Sequence, residues 1–174
     1  MKKKHIVIFS IATVLFLIFL VLIPILPKIG YTSPKNLLWL SPRVQCYKVY
    51  TILESNNIYY GVYRGREALT SDIIYEKDGR YYLYTKNTEP ILWEHTGNNA
   101  LVAIRSVEGK YTIEISHTAV ENPINSVSDS LGTLFDHENI KRDLHTSQRW
   151  FAAIDTLPDD YYLDIDGEII KLNP

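Results

Sequence analysis

The chain has 174 residues, with 18 Lys and Arg against 20 Asp and Glu, 46% hydrophobic content and one cysteine. All 20 acidic residues lie beyond residue 30, against 14 of the basic ones. That part is acidic and has no clustered Lys and Arg, so nucleic acid is excluded as a partner. A lone cysteine, Cys46, excludes an intramolecular disulfide, and the eight glycines occur singly, so no phosphate-cradling loop or cofactor is expected.

Lys2, Lys3 and Lys4 precede an apolar run from Ile6 to Leu26 whose polar members are Ser10 and Thr13. About 20 apolar residues span the ~30 Å hydrocarbon core of a bilayer. A signal peptide has a shorter core of ~7–15 residues and a small-residue cleavage site. No such site follows here: a cut after Gly30 would put Lys28 where a small side chain is needed, and Ser33 precedes Pro34. The run is therefore read as an uncleaved transmembrane helix over 6–26, anchored by residues such as Ile6, Leu15, Phe16, Phe19 and Leu26. Pro24 and Pro27 fall in its last turn, where a helix is ending anyway. The dense lysines before it place residues 1–5 in the cytoplasm and the C-terminal domain outside. Richness in Ile, Lys, Asn and Tyr points to a bacterial cytoplasmic membrane.

Residues 27–43, with Pro34 and Pro42, read as a spacer. Within it, Leu37 to Leu40 form an apolar cluster. Trp39 sits either at headgroup level or on a short helix packed against the domain. The domain proper is expected over 44–174. Val44–Leu53 and Ile58–Arg64 form a first hairpin. Ile73–Glu76 and Tyr81–Thr85 flank Asp78-Gly79, a pair that accepts positive φ and closes a tight hairpin. Ile91–Glu94 and Leu101–Val107 flank a third turn. Tyr111–Ser116 alternates apolar and polar residues, as a strand with one wet face does. Residues 119–130 are a polar connection. A short helix is expected within Ser128–Leu144, and another from Ser147, with Trp150, Phe151, Ile154 and Leu157 on one face and Pro158 as its stop. A hairpin about Asp166-Gly167 ends the chain. The predicted class is α+β: an antiparallel meander of seven or eight strands, one or two helices and a C-terminal hairpin.

Candidate chemistry is sparse. His137 and His145 are eight residues apart, ~12 Å along a helix and too far for one metal. Asp164-Ile165-Asp166-Gly167 resembles the middle of a calcium loop. The end positions would then be Tyr162 and Asn173, which are not the acidic ligands such a loop needs. No serine-nucleophile, H-E-x-x-H or related signature is present. Cys46, in an apolar strand, reads as a small buried hydrophobe. The tyrosine pairs are different: neighbouring strand residues point to opposite faces, so each pair offers one ring to the core and one to the surface. Tyr59, Tyr60, Tyr81, Tyr82 and Tyr84 are thus the expected binding face. No catalytic, cofactor-binding or metal residue is assigned.

The reading is a single-pass, membrane-anchored extracytoplasmic module. Its partners are the lipid bilayer and a protein of the bacterial cell envelope, and an immunity protein against an imported toxin is one specific form. The competing expectation is an envelope hydrolase of peptidoglycan or glycan, in which folding brings together residues such as Glu114, His117 and Asp136.

Overall fold

The computed structural model describes residues 11, 13–18, 20–21, 25, 27–66, 68–84, 91–97, 100–119, 123–142 and 145–172. The strands are β1 (Lys48–Ser55), β2 (Ile58–Arg64), β3 (Leu69–Lys77), β4 (Arg80–Leu83), β5 (Ile91–Gly97), β6 (Ala100–Val107), β7 (Lys110–Ala119), β8 (Val127–Asp129), β9 (Asp136–Arg142), β10 (His145–Ile154), β11 (Tyr162–Ile165) and β12 (Glu168–Lys171); helix α1 is Pro34–Leu40. All pairings are antiparallel. Four hairpins close on two-residue turns with both residues at positive φ: Asn56-Asn57, Asp78-Gly79, Glu108-Gly109 and Asp166-Gly167. Such turns match the right-handed twist of the strands they join.

The strands form three sheets, ordered β1-β2-β3-β4, β5-β6-β7-β10-β9 and β12-β11-β8. The middle sheet is covered on both sides. Phe151, Ala153, Val107 and Ile140 pack against Leu53, Tyr60, Val62 and Ile73 of the first sheet. On the other side, Val102, Ile104, Ile113, Ile115, Trp150 and Ala152 pack against Tyr161, Leu163 and Leu172 of the third. Tyr60 stacks on Phe151 at 5.3 Å, a contact worth about 0.5–1.5 kcal/mol beyond its area.

The mainly antiparallel sheet expected from the sequence is present, and so is the C-terminal hairpin; the helical share is smaller than expected. The chain is mostly antiparallel β with few helices. The segment read as a helix from Ser147 to Leu157 is largely β10. Its apolar residues are consecutive because a strand covered on both faces needs them on both, and consecutive apolar residues also fill a helical face. The Ser128–Leu144 segment is likewise strand, β8 and β9, with a loop between them.

The stretch expected as a spacer is packed from Gly30 onward. Gly30 has φ +74°, and a Cβ there would lie 2.7 Å from Arg80 Cβ and from the Tyr82 ring, so glycine is required. Tyr31 then exchanges two backbone hydrogen bonds with Tyr81, at 2.9 and 3.0 Å. Ser33 caps α1 by accepting the Asn36 N–H at 3.1 Å. Leu37 and Leu38 are fully buried with Tyr31, Val44, Tyr59, Tyr63 and Ile74, whereas Trp39 is exposed. Cys46 precedes β1 rather than lying within it, and it is partly buried against this cluster. Burial pushes its thiol up.

N-terminal to Gly30, the described residues from 11 to 29 are helical. Leu15 and Phe16 are 61% and 60% exposed. The anchor residues Ile6, Phe19 and Leu26 lie outside the described residues. No helix among the described residues is long and apolar enough to cross a membrane.

Two outcomes follow from this packing. Leu38 rests on Gly61, where an added Cβ would come within 2.8 Å of Leu38 Cδ1. Leu38→Ala is expected to lower unfolding stability by about 2–5 kcal/mol, and Gly61→Ala by about 1–3 kcal/mol. The double variant should lose less than the sum, because the new methyl fills part of the cavity. Urea unfolding of the four proteins measures this coupling, and additive losses would mean that α1 does not bear on β2.

The second outcome concerns alkaline pH. The Tyr161 hydroxyl donates to Asp129 Oδ2 at 2.8 Å and that of Tyr63 to Asp72 Oδ2 at 2.5 Å. Burial, then the carboxylate beside each, holds both phenols well above the usual tyrosine range. The folded state therefore keeps protons that the unfolded chain releases near pH ~10. Their stabilisation is complete below that pH and is lost as pH rises toward the folded values. Melting temperature should fall above about pH 10, and less steeply in Tyr161→Phe.

Candidate functional site

The two edges of the middle sheet differ in kind. The β9 edge carries Asp136, His137, Glu138, Asn139 and Lys141, all exposed. The Glu54 N–H of β1 also donates to Asp136 Oδ2 at 3.0 Å, so one end of that edge is covered. Charged residues and coverage are the usual ways of blocking unwanted strand pairing. The β5 edge carries one exposed acid, Glu94, and no covering contact among the described residues. Among the described residues β5 pairs with β6 alone, and its sequence is Ile-Leu-Trp-Glu-His-Thr-Gly.

Local geometry sharpens this exposure. Ile91 pairs with Arg105 and Trp93 with Ile104, so the register shifts at Leu92. A bulged residue has no partner across the ladder and re-aims its side chain. Ile91 and Leu92 are 40% and 47% exposed, and Leu101, opposite Thr96 at the other end of the strand, is 38% exposed. Trp93, by contrast, is partly buried against the core and stacks on His95 at 5.6 Å. The site is thus an open strand edge with apolar side chains around it, held in place by a half-buried tryptophan.

Beneath it lies a buried ion pair. Arg105 Nε donates to Glu114 Oε1 at 2.8 Å, with both residues buried. Arg105 is the β6 partner of Ile91, so the pair underlies the start of β5. Arg149 is on the same face of the sheet, with its Nε buried and without a hydrogen-bond partner among the described residues. Burial lowers its affinity for the proton, against the opposing influence of Tyr60. The residues Thr112, Glu114 and Ser116, expected to face water, instead face the first sheet: Thr112 and Glu114 are buried and Ser116 is half-buried.

The predicted tyrosine face is packed rather than free. Tyr59, Tyr60 and Tyr84 are buried; Tyr81 and Tyr82 are half-buried. The alternation argument holds for direction: Tyr60 points to the middle sheet and Tyr59 to α1. Both directions lead into a core because α1 covers the second face. Tyr59 meets Tyr81 edge-on at 5.4 Å, and Tyr82 stacks on Tyr75 at 5.5 Å.

The residues named for a hydrolase do not converge. Glu114 and His117 are three apart on β7 and point to opposite faces. Buried His117 lies with Nδ1 3.2 Å from Gln148 Oε1, which also accepts the Ile124 N–H at 2.6 Å. Asp136 lies on β9 against β1. His137 stacks on Trp150 at 4.2 Å; the side chain of His145 lies outside the described residues. The C-terminal acids serve the turns. Asp164 accepts the Gly167 N–H at 2.7 Å, and Asp166 accepts the Asn125 and Ser126 N–H groups at 2.9 and 2.8 Å. Among the described residues, no three His, Cys, Asp or Glu are grouped to hold a metal.

Sequence reasoning passed over Leu92 and Leu101. Both lie in runs correctly expected as strand, but which strand forms the edge depends on long-range pairing. Compared with known protein families, curated proteins and solved structures, the chain matches none.

Glu114→Gln leaves the buried Arg105 charge without its carboxylate and is expected to cost about 3–5 kcal/mol. Replacing both partners, as Arg105→Met with Glu114→Leu, should recover most of that loss, because two desolvated charges then leave together. Chemical denaturation of the three variants against the parent decides it. A Glu114→Gln loss below about 1 kcal/mol would show the pair to be solvent-screened.

Proposed function

We propose that this chain is a membrane-anchored extracytoplasmic module of the bacterial envelope that binds a protein partner by strand addition at β5. The observation carrying this reading is the contrast between the blocked β9 edge and the open, apolar β5 edge of one sheet. Main-chain groups along such an edge supply affinity, and side chains alternating above and below it supply selectivity.

The anchor has its own support. Val14 through Ile18 are consecutive helical residues, all apolar and all about half or more exposed. Five successive residues at 100° steps point around the whole helix, and a helix apolar on every side needs a non-aqueous surrounding. Lys2, Lys3 and Lys4 before it are denser than Lys28, Lys35 and Arg43 beyond it, and that density supports a cytoplasmic N-terminus.

The occupant is an extended, basic segment of another protein rather than a second copy. Residues 54–174 carry 20 acidic and 11 basic side chains, and Glu94 is exposed on β5 itself. Two such edges repel, whereas a basic segment is drawn in. An immunity protein that captures an imported toxin at the membrane is one module of this kind.

The test is photo-crosslinking in membranes of the full chain, with the crosslinker at Leu92 and, as a control, at exposed Lys141 on β9. An adduct to a different protein through a Lys- or Arg-bearing stretch is expected from Leu92 alone. Glu94→Lys in the same background, which sets a like charge against the basic segment, should abolish it while leaving unfolding stability within about 0.5 kcal/mol. Self-adducts would make β5 a dimer edge, and equal yields from both positions would remove the assignment.

A further inference from the structure

The N-terminal part of the domain is charged oppositely to the rest. Residues 28–53 contain Lys28, Lys35, Arg43 and Lys48 and no Asp or Glu, whereas all 20 acidic residues lie from Glu54 onward. Arg80 adds to this basic collar, since it lies against Gly30.

A cavity of about 160 Å³ opens within the collar, lined by Pro27, Tyr31, Ser41, Arg43, Tyr75 and Tyr82. It has room for a group several water molecules in size. No carboxylate lines it, while an exposed guanidinium and a serine do. Tyr31 is 4% exposed, and its hydroxyl is buried without a hydrogen-bond partner among the described residues. Arg43 has no ion-pair partner among the described residues. Pro27 directly follows the apolar run, so the cavity lies where that run meets the domain.

We propose that this cavity binds the phosphate of an anionic phospholipid headgroup, with Arg43 as the charge that pairs with it. The assignment rests on the membrane-anchored reading. A phosphodiester suits the donor present: arginine pairs with phosphate oxygens through a planar fork. Lys28, Lys35 and Arg80 then face the anionic surface around the bound lipid, where each basic side chain contributes attraction that fades within a Debye length.

The full chain in nanodiscs of phosphatidylcholine with phosphatidylglycerol tests this, with native mass spectrometry counting the lipids retained on release. One phosphatidylglycerol should stay bound per chain. Arg43→Gln should reduce its retention about tenfold or more, as loss of a charge-assisted bond does. Lys141→Gln should leave it unchanged. Carbonate extraction of cells expressing the full chain reports the anchor separately. A chain that stays in the membrane pellet but retains no phosphatidylglycerol, or retains it equally in Arg43→Gln, overturns the site and leaves the anchor standing. A chain released by carbonate overturns the anchor, and the headgroup site falls with it. Binding of inorganic phosphate by the detergent-solubilised chain, without retained lipid, overturns the headgroup in favour of a free anion.

Discussion

β10 carries apolar side chains on both faces because it runs through the middle of the molecule. Phe151 and Ala153 point to the first sheet, and Trp150, Ala152 and Ile154 to the third. The other two sheets find their places by covering it. The first sheet lays Tyr60 flat on Phe151, and the third brings Tyr161 and Leu163 under Trp150 and Ala152. Tyr161 in turn holds Asp129, whose other carboxylate oxygen accepts the Leu131 and Thr133 N–H groups at 3.0 and 2.8 Å. Strip β10 of its size or its alternation and both interfaces lose their reference surface.

Burial on both sides also fixes where polar groups are tolerated. Arg105 and Glu114 survive between two sheets because each satisfies the other at hydrogen-bonding distance. Such a pair stabilises little compared with apolar residues of the same shape, but it penalises any register in which the charges part. The pair spans β6 and β7, so it ties the register of those two strands, and β5 pairs on the outer side of β6. The site at the edge therefore depends on a buried contact that is itself no part of the binding surface.

Much of the strand order was readable from local chemistry. Asp78-Gly79 and Asp166-Gly167 announced their hairpins because few residue pairs accept two positive φ angles in succession. Failures came where coverage was decided from afar. Trp150, Phe151 and Ile154 fit a helical face as well as a doubly covered strand, and only the sheets above and below distinguish the two. The tyrosine pairs were assigned the right directions, but the face thought to be free is closed by Leu37 and Leu38 of α1, some 20 residues earlier. The bulge at Leu92 leaves no mark in composition, since it is a relation between two strands.

The joint at Gly30 links the helical residues before it to the domain more tightly than a spacer would. The helical residues end at Ile29, and by Tyr31 the backbone is already paired with β4. A chain that passes from helix to sheet in two residues has little freedom to swing, so a tilt of the helix is transmitted to the first sheet. Close approach of backbone at Gly30 makes this coupling steric as well as hydrogen-bonded. Under the anchored reading, the basic collar is thereby held against the bilayer, while the acidic part, β5 included, begins beyond it. Opposite charge on the two parts then acts as an orienting device: an anionic surface attracts residues 28–53 and repels the rest, which leaves β5, with its exposed Glu94, available to a basic partner.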